Sequence, residues 1–367
     1  MEKRTIALIV ALTLIAAGIL YLSQFTPQTV SYTGVPVAPG NRTSVNAEKA
    51  KLYPPAREIA LPSGYINTRN ISIGGLIGKE VILVDFWTYS CINCERTIPY
   101  LNMWYDKYHP LGLEIIGVHT PEFLFEHDIP NVRAAVNKFG IRYPVVLDND
   151  YATWASYNNH YWPADYLIDI DGFIVDEHFG EGDYDVTEHK IQDLLRERAA
   201  VLGLNVTIPN TTGTPQNTVA VNFSQVGSPE TYFGSARNDY LGNGNPHTPG
   251  LQVFTAPGVL QPNTLFLNGP WNITGEYAET RGNCSILYQY NAENVYFVAS
   301  ALRPVTVAVK LDGRSLVTGA GADVAGGVAT VQDERLYAIV QGTEYGMHIL
   351  ELDVPEPGLR AYTFTFG

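Results

Sequence analysis

Apolar residues follow three different rhythms along this chain, and each predicts a different kind of structure. Residues 6–22 carry no charge and are mostly apolar, approaching the roughly 20 residues that a helix needs to cross a bilayer. Between 63 and 203, short continuous apolar runs alternate with stretches whose apolar positions recur three and four residues apart, which predicts strands alternating with amphipathic helices. After residue 227 the period falls to two: Val305, Val307, Val309 and Leu311 alternate with Thr306, Ala308 and Lys310, and Tyr362, Phe364 and Phe366 alternate with Thr363 and Thr365. That alternation predicts half-buried antiparallel strands, here in an all-β sandwich over 227–367 with Gly-rich turns at Asp312-Gly313 and Gly319-Ala320-Gly321.

Within 63–203 the pieces can be placed. Residues 81–86 read as a buried strand, 94–108 as a helix with Ile98, Leu101, Trp104 and Tyr105 on one face and a kink at Pro99, and 113–118 as the next strand. Helices follow over 131–139, 151–157 and 186–202, with a short strand at 145–147. Residues 166–170 and 173–176 form a hairpin about Asp171-Gly172. This order predicts an α/β domain, a mixed sheet flanked by helices. Its neighbours are softer. Residues 26–62, with Pro27, Pro36, Pro39, Pro54 and Pro55, and residues 204–226, rich in Thr, Asn and Pro, read as linkers.

Lys3 and Arg4 precede the apolar segment, so residues 1–25 read as a membrane anchor or signal segment. Its length, and the lack of a small-residue cleavage pattern after Leu22, favour an uncleaved anchor. The positive end stays inside, which puts both domains on the extracytoplasmic side. Sequons at Asn41, Asn70, Asn205, Asn210, Asn222, Asn272 and Asn283 fit an exported chain. The net charge of −14 and the lack of a long basic run exclude the electrostatic footprint of a nucleic-acid binder. Three cysteines in 367 residues are too few for a disulfide-stapled scaffold.

Two of those cysteines carry the candidate chemistry. Cys91 and Cys94 form a Cys-x-x-Cys pair directly after the apolar strand, where the start of the following helix turns unpaired backbone N–H groups toward the first thiol and favours its thiolate. Cys91 is then the nucleophile and Cys94 the resolving thiol. One such pair without a partner pair could be at most half of a tetrahedral metal site, so no metal and no further cofactor is expected. Asp85 interrupts the apolar strand beneath the pair; burial would raise its pKa and let it shuttle the Cys94 proton, the alternative being an aspartate that only binds backbone. Glu122 follows the next strand and could approach the same pocket. Trp162-Pro163 precedes the late strand; a cis bond there would free backbone at Trp162 for a substrate strand, but the local sequence leaves the isomer open. His119, His127 and His160 lack ligand spacing and read as ordinary polar residues, Trp87 and Tyr89 as packing beside the strand, and Cys284 as a buried apolar thiol.

The run Val84-Asp85-Phe86-Trp87 before the pair, Pro99 beyond it and Pro163 before the late strand resemble thioredoxin. The segments 88–94, 118–123, 147–154, 161–163 and 178–184 resemble the extracytoplasmic thioredoxin-like region of DipZ-type proteins, relatives of the TlpA reductases. The resemblance implies a thioredoxin fold with an inserted βα segment, Cys91–Cys94 as the redox-active disulfide, Pro163 as a cis proline, and Glu122 as the acidic residue that TlpA-like reductases place near the active site. Residues 228–234 and 361–367 resemble the DipZ C-terminal region, a carbohydrate-binding-module-like sandwich. DipZ proteins begin with a multi-helix electron conduit where this chain has a single apolar segment, so a reductase here would draw electrons from a separate membrane partner of the CcdA kind. The expected function is thus a membrane-tethered oxidoreductase reducing disulfides of exported proteins. The alternative is a binding or adaptor protein whose sandwich takes a glycan or a protein, with Trp271, Tyr288, Tyr290 and Tyr296 as a sugar platform or as core. A peroxidase would need an Arg-supported peroxidatic cysteine in place of a tight dithiol.

Overall fold

The structure, a computed structural model, describes residues 43–216 and 218–367. The apolar segment 1–25 and the first part of the proline-rich stretch therefore lie outside the described residues. Among the described residues no helix is long and apolar enough to cross a membrane.

Strand β2 (Val81–Trp87) is buried at every position and lies in the middle of a six-stranded mixed sheet. It pairs in parallel with β3 (Leu113–His119) and antiparallel with β5 (Ala164–Ile168). Beyond β3 lie β4 (Val145–Leu147), parallel to it, and antiparallel β1 (Gly64–Ile66); beyond β5 lies antiparallel β6 (Ile174–Phe179). The helices are α1 (Thr43–Lys49), α2 (Ile73–Leu76), α3 (Ile92–Tyr108), α4 (Ile129–Lys138), α5 (Ala152–Ser156) and α6 (Tyr184–Leu202). The sequence pattern predicts β2 to β6 and α3 to α6 with ends shifted by a few residues but not β1, α1 or α2, and the mixed sheet is the one expected.

Period two decides what lies on each face of this sheet. Val81, Leu83 and Trp87 pack with Ile98, Leu101 and Trp104 of α3 and with Ile191 and Leu195 of α6, while Ile82, Val84 and Phe86 enter a second cluster with Ile73 and Tyr157. Asp85 has the parity of Leu83 and Trp87, so it lies under α3 on the same face as Cys94. Tyr105, expected on the buried face of that helix, is half-buried, and Tyr108 takes the fully buried position instead.

The described part of the 26–62 stretch does not behave as a linker. Ala56 and Ile59 are buried in the second cluster, Pro55 bridges to Phe173, and Lys49 Nζ donates to Asp169, Asp171 and Glu197 at 2.5, 2.8 and 2.7 Å. Low periodicity reflects an extended strap that docks residue by residue. The three carboxylates it meets have a spacing that could hold a metal ion, but the Lys49 ammonium stands at their centre. Residues 204–226 connect the halves with no regular secondary structure among the described positions, and Gly213 N donates to Glu188 of α6 at 2.8 Å.

The second half is all β, as expected, but its hydrogen bonding is continuous. Strands β7 (Thr231–Tyr232), β8 (Gly250–Phe254), β9 (Leu265–Ile273), β10 (Ala278–Thr280), β11 (Cys284–Ala301), β12 (Val305–Leu311), β13 (Arg314–Ser315), β14 (Val324–Ala325), β15 (Val328–Val331), β16 (Arg335–Val354) and β17 (Leu359–Phe366) form one network. The long β11 pairs with β9 over Ser285, Ile286, Leu287 and Tyr288, then, past a register shift between Ala292 and Asn294 in its pairing with β16, with β17 from Val295 onward, so the ladder β9–β10–β17–β11 closes on itself around the core. Trp271, Tyr288 and Tyr290 lie inside that core at 0–1% exposure. They offer no surface to a sugar, and only Tyr296, beyond the bulge, is half-buried. Cys284 is buried, its Sγ 3.1 Å from the Pro270 carbonyl, as an inert interior thiol would be.

The two halves share a core. Val298, Leu336 and Tyr362 of the β-rich half belong to the cluster built on β2 and α3, with Tyr362 edge-on to Phe123 and Phe125 at ring distances of 5.1 and 4.9 Å.

Candidate active site

Burial drives β2 through the sheet and releases it at Thr88; the chain then turns and starts α3 with Cys91 at the N-cap, in extended conformation at φ −90° and ψ 118°. Cys91 is half-buried and Cys94, one turn in, is 1% exposed, so only the first thiol is presented outward. Cys91 Sγ lies 4.0 Å from the Trp162 carbonyl, and the Trp162–Pro163 bond is cis. Trp162 is fixed by a hydrogen bond from Nε1 to Thr120 O at 3.1 Å and by contact with Trp154. Trp162 and Pro163 thus lie beside the first thiol.

Beneath the thiols, burial pushes the Cys94 thiol up, with the neighbouring Cys91 thiol and Asp85 adding to the effect. Asp85 is 1% exposed and its carboxyl is raised well above the usual range, first by burial and then by a second carboxyl, Asp165. His119, also expected as an ordinary residue, is fully buried, packs edge-on to Trp87 and flat on Tyr89, and is held neutral by burial, which lowers its pKa to about 3.

Glu122 takes a different place from the one expected. Its Oε1 accepts from Tyr232 Oη at 2.8 Å and Arg237 Nη1 at 2.7 Å, so this carboxylate is turned to the β-rich half and ties the halves together. Arg237 also lies 3.7 Å over the Tyr232 ring. The carboxylate that reaches the dithiol loop is Glu126. It is 0% exposed and accepts from Ser90 Oγ at 2.6 Å, Ser90 N at 3.3 Å, Glu122 N at 2.5 Å and Phe123 N at 2.9 Å, with burial raising its pKa to about 7. On the other side of the loop, Arg96 donates to Glu181 at 2.6–3.0 Å and to Asn93 Oδ1 at 2.9 Å, which anchors the residue between the cysteines.

Sequence reasoning missed Glu126 and Asp165. Asp165 lies at the first buried positions of β5, which the apolar pattern began only at 166; the rule applied to Asp85, a carboxylate inside an apolar strand, identifies it once the strand is extended. Glu126 offered a weaker signal, a carboxylate three residues after Phe123 in an otherwise apolar stretch.

A cleft of about 990 Å³ runs from the start of α3 into the groove between the halves. Tyr89, Ile92 and Glu95 line it on the redox side, and Tyr296, Glu334 and Arg335 on the other. Burial raises the Glu95 carboxyl to about 7.

Residues 55–177 match the AhpC/TSA family, and residues 228–367 match the thioredoxin like C-terminal domain. Protein DipZ of Mycobacterium bovis is 39% identical over 309 residues, 83% of this chain and 42% of that protein. Both halves of the chain are similar to the DipZ proteins. The chain spans about two fifths, 42%, of the DipZ proteins it matches. The thiol-disulfide oxidoreductase ResA of Bacillus thuringiensis is 36% identical over 113 residues, 31% of this chain and 62% of ResA. A solved thioredoxin-like protein in its oxidized form is 27% identical, covering 40% of this chain and 98% of its own with a TM-score of 0.37. Thiol–disulfide oxidoreductase, the enzyme class expected from the dithiol, is the class named for the ResA relative.

Proposed function

We propose that this chain is a thiol–disulfide oxidoreductase that reduces disulfides of exported proteins outside the cytoplasm, held to the membrane by residues 1–25 and supplied with electrons by a separate membrane protein of the CcdA kind. The observation that carries the reading is the split environment of the dithiol: a half-buried Cys91 at a helix N-cap above a fully buried Cys94. The exposed sulfur attacks a substrate disulfide and the buried one resolves the mixed disulfide, with Asp85 taking the Cys94 proton. Substrate lies against the Trp162 carbonyl beside Cys91, and the cleft supplies a second wall from the β-rich half. The tether and the extracytoplasmic location rest on the apolar run behind Lys3 and Arg4.

The reduction potential tests the direction of electron flow: a value near thioredoxin's about −270 mV fits a reductase, one near about −120 mV an oxidant. Replacing Cys91 by Ser should abolish insulin-disulfide reduction by the purified chain, and retained turnover would sink the assignment.

A further inference from the structure

Asp85 is a buried acid with no donor. It is 1% exposed, and neither of its carboxyl oxygens meets a hydrogen-bond donor among the described residues. What stands opposite is Asp165, its register partner across the antiparallel β2–β5 ladder, 6% exposed and with Oδ1 likewise unpartnered. Both side chains project to the face covered by α3, under Cys94. Two ionised carboxylates at one buried site repel each other and leave acceptors unpaired, whereas one proton between them makes an O–H···O⁻ hydrogen bond that satisfies both.

The other groups facing the pair do not relieve it. On β3, Asp85 is opposite Gly117, and an added Cβ there would sit 3.0 Å from both Trp87 Nε1 and Tyr143 Cε2, so the position brings no cation. Tyr143, fully buried just before β4, has an unpartnered hydroxyl, and its pKa is raised by burial and by these two carboxyls. On β6, Asp165 is opposite His178, whose Nε2 has no partner, and Asp176, paired with Lys190 of α6, still adds to the upward push on the Asp165 carboxyl. On α3 the facing titratable group is Cys94.

We propose that Asp165 is a positioning residue for thiol–disulfide exchange: with Asp85 it holds one shared proton beneath Cys94, and so sets the pH at which Asp85 accepts the Cys94 proton. This rests on the oxidoreductase reading above. In the resolving step the Cys94 thiol gives its proton to the singly charged pair, and the resulting thiolate attacks the Cys91 sulfur of the mixed disulfide. The Cys91–Cys94 bond forms and the Cys91–substrate bond breaks, and the substrate sulfur leaves as a thiolate that is protonated by water. The dithiol loses two electrons and the substrate disulfide gains them. The neutral diacid left behind is the form that burial favours, so the pair is a stronger base than a lone aspartate hydrogen-bonded to an amide. Burial raises Asp165 to about 7, which places that base near neutrality.

The test is the pH dependence of mixed-disulfide resolution on Cys91 in single-turnover experiments with the full chain, for the wild type and Asp165→Asn, together with an infrared titration of protonated carboxyls. Replacing Asp165 by Asn removes the like charge and adds a donor, so the pH midpoint of resolution should fall by about one unit or more. The wild-type-minus-variant infrared difference should show a protonated buried carboxyl near neutral pH that the variant has lost, which separates the pair from Glu95, Glu126 and the buried Glu230, whose carboxyls burial likewise raises to about 7. Asp165→Glu should restore the wild-type midpoint, which a loss of packing alone would not explain. A superimposable Asp165→Asn profile overturns the proposal. Should that variant not fold, the wild-type infrared titration decides alone, since a pair with no bound proton at pH 6 also overturns it. A wild type that never forms a mixed disulfide would instead overturn the oxidoreductase reading, and the infrared titration, which needs no substrate, would still report on the pair.

Discussion

Replacing Glu126 by Gln should flatten the dependence of stability on pH. The carboxyl is 0% exposed, and burial raises its pKa from 4.5 to about 7 in the folded chain. A raised acid binds its proton more tightly when folded, so its contribution is full below the unfolded pKa and is lost as the pH climbs through the folded one. Between pH 5 and pH 8 this linkage amounts to about 2.5 kcal/mol, most of the roughly 3 kcal/mol that a shift of this size can supply. The amide keeps an acceptor for the Glu122 and Phe123 amides, 2.5 and 2.9 Å away, but has no proton to release. Urea unfolding of wild type and Glu126→Gln at pH 5 and pH 8, read through the tryptophans, four of which (Trp87, Trp104, Trp154 and Trp162) lie in the redox half, measures the difference. The variant should be the less stable by about 2.5 kcal/mol more at pH 5 than at pH 8. An equal gap at the two pH values would show that Glu126 is already ionised when buried, with its four donors holding the charge, and would refute the reasoning.

Tyr362→Ala removes a ring that packs on Phe123 and Phe125 across the two halves, and should cost about 3 kcal/mol, split unfolding into two transitions and speed proteolysis within 204–226. Arg96→Gln leaves Glu181, whose side chain is 6% exposed, without its cation; a loss of about 3–5 kcal/mol in thermal or urea unfolding is expected, and a variant as stable as wild type would show that the pair is dispensable. Lys49→Ala leaves Asp169, Asp171 and Glu197 without the ammonium that joins them, so amide hydrogen exchange in the strap 43–62 should rise while the sheet stays protected.

Much of the redox half was legible because burial writes itself into sequence as continuous apolar runs. β2, the dithiol after it, Asp85 within it and the hairpin about Asp171-Gly172 follow from local pattern alone. Glu122 and Glu126 were not separable that way, since they differ in what lies opposite: the first meets Tyr232 and Arg237 from more than a hundred residues away, the second meets Ser90. The strap was misread because an extended segment docking through single residues has no period. In the β-rich half, alternation located the strands, but register shifts between Ala292 and Asn294 and between Val295 and Tyr296 reverse which side chains face inward. Of the three β11 tyrosines at even positions, Tyr288 and Tyr290 therefore became core and Tyr296, past the first shift, reached the cleft.

The segment from Glu122 to Glu126 belongs to both halves at once. Its side chains Glu122, Phe123 and Phe125 dock on Tyr232, Arg237 and Tyr362, while Glu126 at its end grips the residue just before the nucleophile. One five-residue segment thus stands between the ring of Tyr362 and the 2.6 Å hydrogen bond to Ser90, so the β-rich half is part of the footing on which the residue before Cys91 rests.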